Sequence, residues 1–171
     1  AALLGRTLAE RGVVARIGSA GLVSEGQPAT ADAQAAMSAR GLDLSAHRSR
    51  LLDVEKVSSA DLVLAMARQH LREAVVRRPD RYSRTFTLKE LVRRGAEVGP
   101  RDPDEPLEAW LARAHSGRAP ASQLGVSPLD DVEDPVGRGP DVYRETAGEL
   151  DSLTTLLADL LWRQVPSTAR S

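Results

Sequence analysis

Ala60-Asp-Leu-Val-Leu-Ala-Met66 is a short apolar run, and its reading decides the fold. Seven such residues suit a buried strand better than a helix. Ala67 to Arg77 then places Leu71 and Val75 one turn apart. The helix this predicts must end before Pro79, because a residue preceding proline is pushed out of the helical region. Thr85-Phe-Thr-Leu88 reads as the next strand and leads into a helix over Lys89–Arg94. Upstream, the β-branched stretch Val13-Val-Ala-Arg-Ile-Gly-Ser19 predicts another strand. It follows a helix over Ala1–Gly12 in which Leu4 and Leu8 share a face and Gly12 is the stop. Thr30 caps a further helix through Arg40 that stops at Gly41. Strands alternating with helices at these lengths define an α/β fold: a parallel sheet between two helical layers, three layers in all.

From Gly95 to Asp130 the pattern changes. Proline and glycine are scattered through it, yet Asp104 to His115 reads as a helix, with Asp104 as cap and Leu107, Trp110 and Leu111 as its apolar stripe. The segment 95–130 is therefore an insertion with a helix of its own, inside a single domain spanning 1–165. A long helix from Pro140 to about Arg163 follows, striped by Leu150, Leu153, Leu157 and Leu160 and widened by Leu156 and Leu161. Residues 166–171 read as a disordered tail.

Apolar residues make up 42% of the 171, charged residues 27%, and the net charge is −1, an ordinary globular profile. Near-neutral charge gives no argument for a nucleic acid or a membrane surface as partner, and neither is expected. There is no cysteine, which excludes disulfides, thiolate metal sites and thiol catalysis within these residues. His47, His70 and His115 lack ligand spacing, so neither metal nor cofactor is expected, and His70 and His115 read as ordinary helix-surface residues. No signal peptide or spanning segment is evident, which makes the cytoplasm the default location.

Asp131-Val-Glu-Asp134-Pro135-Val-Gly-Arg-Gly-Pro140-Asp-Val-Tyr143 carries the strongest chemical signal. An Asp-Pro dipeptide alone is usually a turn. Here it sits on a Gly/Pro-rich loop directly before a long amphipathic helix. Three other blocks accompany it: Arg16-Ile-Gly-Ser19-Ala20-Gly21 with Gly26-x-Pro28 beyond, Gly41-Leu-Asp-Leu-Ser-Ala-His47-Arg48-Ser49-Arg50, and Ala60–Met66 with His70 a turn further on. In this order, the four blocks resemble the low-molecular-weight protein tyrosine phosphatases.

The resemblance implies hydrolysis of phosphotyrosine in proteins, or of small aryl phosphates, through a cysteinyl-phosphate intermediate without metal. It makes Asp134 the general acid/base and Pro135 the residue that sets the acid's approach. Ser19 and His47 become supports of the phosphate loop. The Arg48/Arg50 pair reads as a solvated face from which one guanidinium can reach acid groups of a substrate. The family's Cys-x-x-x-x-x-Arg-Ser/Thr loop and the strand before it have no match here, and Ala1 opens inside a helix without a cap. The chain thus reads as the body of such a phosphatase without its catalytic loop, inactive as it stands. The alternatives are a degenerate phosphatase acting as a binding protein, or a gene fragment. Val136 stands where the family usually has an aromatic residue that walls the phenyl slot. Oligomeric state is open. By the family's strand order the absent strand is central. Val13–Ser19 and Asp61–Met66 are then expected not to pair, lying about 9.6 Å apart, twice the ~4.8 Å strand spacing.

Overall fold

The computed structural model describes residues 1–162. Its elements are helices α1 (Ala2–Glu10), α2 (Ala31–Ser38) and α3 (Val54–Ser59), strand β1 (Val63–Ala65), α4 (Arg68–Arg77), β2 (Thr85–Thr87), α5 (Leu88–Val98), α6 (Leu107–His115) and α7 (Pro140–Leu161). β1 and β2 pair in parallel, Val63 with Thr85, Leu64 with Phe86 and Ala65 with Thr87. Parallel strands need a crossover connection, and α4 with the 3-10 turn Pro79–Arg84 provides it. The α/β class holds, with a small two-stranded sheet and a large helical complement.

The expected strand over Val13–Ser19 does not form. Those residues have no ladder partner, and Val14 is fully exposed. A strand exists only by hydrogen bonding to a neighbour. No ladder joins this segment to β1, in line with the expectation that the two do not pair.

The main core gathers Phe86 of β2, Leu88 and Leu91 of α5, Trp110, Leu111 and Ala114 of α6, and Leu157 and Leu161 of α7. Residues of one parity on β1 and just beside it, Leu62, Leu64 and Met66, pack against this cluster. The helix of the 95–130 segment is thus part of the main core: Trp110 is fully buried, and its indole N–H donates to the Gly99 carbonyl at 2.9 Å. Gly95 lets α5 approach it, since a Cβ there would lie 2.9 Å from the Trp110 ring and from Leu160. α6 begins later than expected, at Leu107, with Pro106 rather than Asp104 at its cap position. Pro106 keeps Glu105 out of the helical region, so the helix cannot start two residues earlier. On α7, Leu161 is buried but Leu156 faces solvent. α1 lies along α7, with Arg6 bonded to Asp151 at 2.5 Å and Arg11 to Asp159 at 2.6 Å. The tail 166–171 lies outside the described residues.

A charged network is sealed beside the core. Arg118 and Glu90 are 1% and 4% exposed at their side chains. Arg118 Nε and Nη2 each donate to Glu90 at 2.9 Å, and Nη2 also donates to the Thr85 carbonyl at 3.0 Å. Nη1 reaches the Tyr82 carbonyl at 3.2 Å and His115 Nδ1 at 3.1 Å. All five N–H groups are therefore used, and the guanidinium also stacks on the Phe86 ring, 4.0 Å from its centroid. Gln123 Nε2 donates at 3.0 Å to Glu90 Oε1, the oxygen that Arg118 Nε also reaches. His115 is not the surface residue expected: it is half-buried, edge-on to Tyr82, and must accept at Nδ1. Burial, then the charges of Arg118 and Arg94, hold its pKa below the ordinary value, with Glu90 opposing.

Candidate active site

The Asp134 loop is anchored to the sheet just before the acid. Val132 N–H donates to the Met66 carbonyl at 2.7 Å, which pins the chain to the carboxyl end of β1. In open α/β sheets ligands bind at this end of the strands. Two carboxylates reinforce the anchor. Asp131 accepts from the Arg68 N–H at 2.7 Å and from the Ser127 N–H at 2.9 Å, which satisfies the first amide of α4. Asp130, 3% exposed, accepts from Arg68 Nη2 at 2.7 Å and Nε at 3.1 Å, and from Arg93 at 3.2 Å. Arg68 and Arg72 also donate to the carbonyls of Gln123, Leu124 and Gly125.

Beyond this clamp Asp134 is exposed. One carboxylate oxygen accepts from the Val136 N–H at 3.1 Å, closing a turn of the kind Asp favours. No bond among the described residues engages the other oxygen. Pro135 follows at the head of a tight turn, with the Arg138 N–H on its carbonyl at 3.0 Å and an ion pair between Glu133 and Arg138. Gly139 (φ 85°) makes the reversal into α7, whose first residue is Pro140. Tyr143 then turns inward, its hydroxyl accepting from Thr30 at 3.0 Å and its ring packing on Ala36 of α2.

Ser19 and His47 are both exposed, and among the described residues neither the hydroxyl nor the imidazole has a partner. Their segments are clasped together. Gly21 N–H donates to Arg50 O, Leu52 N–H to Gly21 O, Gly26 N–H to Ser49 O and Ser49 N–H to Gln27 O, each at 2.8 Å. The structure thus brings Ser19 and His47 to one clasp and fixes Asp134 at the end of β1. No hydrogen bond among the described residues joins Asp134 to either. A groove of about 470 Å³ lined by Gln34, Ser38, Asp43 and Leu44 includes none of the three. None of the side chains that line this groove is buried. Asp130, Asp131 and Arg68, the groups that fix the acid, escape sequence reasoning because Arg68 lies about 60 residues away from its partners. Among the described residues no cluster of His, Asp or Glu suited to a metal occurs, and no helix is long and apolar enough to cross a membrane.

The acid loop thus lies at the carboxyl end of a parallel strand pair, the end where α/β domains hold their ligands. The family model "Low molecular weight phosphotyrosine protein phosphatase" matches residues 1–110, and the chain belongs to that family. The match contains Ser19 and His47 and stops before Asp134. A protein-arginine-phosphatase of Geobacillus stearothermophilus is 30% identical over 145 residues, covering 84% of this chain and 74% of its own. Among solved structures, a low-molecular-weight protein tyrosine phosphatase from T. tengcongensis superposes with a TM-score of 0.67 at 30% identity, covering 92% of this chain and 86% of that one. A YwlE mutant from Bacillus subtilis gives the same TM-score at 28% identity, covering 92% and 84%.

Proposed function

We propose that this fold serves phosphate-ester hydrolysis on proteins, with Asp134 as general acid and then base. Joined to the family's cysteine-bearing loop, it would hydrolyse phosphotyrosine. The thiolate attacks phosphorus, Asp134 protonates the departing phenolic oxygen, and the resulting carboxylate then takes a proton from the water that attacks the cysteinyl-phosphate. Pro135 sets the acid's approach, and Ser19 and His47 support the phosphate loop. The observation that carries this reading is the doubly clamped acid loop, which leaves one Asp134 oxygen free while its backbone is held at the end of β1.

These 171 residues contain no cysteine, so the chain alone should show no turnover of aryl phosphates or phosphopeptides. Vanadate-sensitive hydrolysis by the purified chain would contradict this. In a form carrying the family's phosphate loop ahead of α1, Asp134→Asn should slow turnover about 10²–10⁴-fold, the usual worth of a general acid. The loss should shrink for leaving groups that need no proton.

A second reading is phosphoarginine hydrolysis. It is favoured by the named activity of the Geobacillus stearothermophilus relative and by the exposed Val136 beside the acid, where an aromatic wall for a phenyl ring is absent. The ratio of turnover on phosphoarginine and phosphotyrosine peptides decides between them. A non-catalytic binding role is what remains if the loop-bearing form turns over neither.

A further inference from the structure

We propose that Arg16 and Arg50 form a recognition site for carboxylate side chains of a protein partner, the acidic residues flanking the phosphorylated one in a substrate. The proposal rests on the phosphoprotein reading above for the identity of that partner. Its physical basis is separate.

Among the described residues, Arg16 and Arg50 are the only arginine or lysine side chains that form neither a hydrogen bond nor an ion pair. The other arginines and lysines among them meet a carboxylate or a backbone carbonyl. Arg6, Arg11, Lys56, Arg77, Lys89 and Arg144, for example, all sit on carboxylates. The Arg50 head lies against the segment that carries Arg16. A Cβ placed on Gly18 would stand 3.6 Å from Arg50 Nη2, so the Arg50 head rests against the backbone two residues from Arg16 and one from Ser19. Gly18 brings no side chain to cover it. The clasp from Arg50 O to Gly21 N–H, at 2.8 Å, holds the two segments in this relation.

No carboxylate among the described residues pairs with either guanidinium. Residues 11–24 and 44–52 contain no Asp or Glu. Of the acids that flank these stretches, Glu10 pairs with Arg6, Asp43 binds the Ser45 amide and hydroxyl at 2.7 and 2.8 Å, and Asp53 caps α3 and pairs with Lys56, while the exposed Glu25 pairs with neither arginine. Arg48, between Asp43 and Asp53 in sequence, uses Nη1 on the carbonyls of Ser45 and His47. An exposed guanidinium without a counter-charge attracts an incoming anion. The planar fork matches a carboxylate in bidentate geometry. A phosphate cradle would instead gather backbone N–H groups around the anion.

The test is an NMR titration of the 171-residue chain with an unphosphorylated tyrosine peptide bearing two glutamates on each side. Controls are the same peptide with glutamines and inorganic phosphate alone. The Glu peptide should shift the amides of Arg16, Gly18 and Ser19 and the Arg50 Nε resonance. Arg16→Gln with Arg50→Gln should weaken it roughly three- to tenfold, as two exposed ion pairs allow. Arg48→Gln should leave it unchanged, and about 0.5 M salt should suppress it. Equal binding of the Gln peptide, equal perturbation by phosphate, or equal loss in the Arg48 variant overturns the proposal. No phosphoryl transfer enters the experiment, so failure of the phosphatase reading would appear in turnover and not here.

Discussion

Glu90→Ala is the sharpest test of how the acid loop is supported. Glu90 accepts two bonds from Arg118 and one from Gln123, all at 2.9–3.0 Å and all out of water. The substitution leaves a guanidinium that is 1% exposed with no counter-charge and strips two of its five donor contacts. Breaking one side of a buried pair costs about 3–5 kcal/mol, several times an exposed pair. At roughly 2–4 °C per kcal/mol for a chain of this size, Tm should fall by about 6–20 °C. Urea unfolding would give the free energy. Hydrogen exchange would show the Val132 amide opening, because Arg118 and Gln123 tie the 116–131 segment to β2 and α5. Replacing both charges together, as Glu90→Leu with Arg118→Met, should recover much of the loss, since no orphan charge is then buried. A loss below about 1 kcal/mol for Glu90→Ala, or a double variant no better than the single, would refute this reasoning.

Asp131→Ala removes two charge-assisted bonds to backbone amides and the cap of α4, so it should cost about 1–3 kcal/mol by denaturant unfolding; Asp131→Asn, which keeps an acceptor, should lose less. His115 has a folded pKa below its unfolded value of about 6.5, so the native state binds fewer protons than the unfolded one. Its contribution should be complete above pH ~6.5 and decline as pH falls from there toward the folded pKa. Urea midpoints between pH 7.5 and 5.5 would read this slope, and His115→Gln should flatten it.

The parts of the fold that chemistry marks locally were legible. Thr30 caps α2 through the Ala33 amide, Gly41 takes φ 72° at its stop, and α4 ends before Pro79. The Val13–Ser19 stretch misled because β-branched composition reports a preference, while a strand also needs a neighbour. α3, capped by Asp53, went unseen because six residues are too few to show a period. At the site, the Asp134-Pro135 turn could be read from its own residues. Its clamp could not, since the Asp130–Arg68 pair spans 62 residues and the Arg118–Glu90 pair 28. On a helix such as α5, Glu90 looks like a solvent-facing residue until its partner is known.

The packing of α1 against α7 imposes an order of events on the growing chain. Arg6 meets Asp151 across 145 residues, and Leu3 and Leu8 are buried in the finished molecule. At about 5–20 residues per second, roughly 7–30 s separate the synthesis of α1 from that of α7. Through that interval α1 is an amphipathic segment whose apolar face has no α7 to dock on, a natural target for a ribosome-associated holding chaperone. Closing so long a loop adds only a logarithmic entropy penalty, so the delay is kinetic rather than thermodynamic. α1 is thus expected to be secured only after α7 has been made.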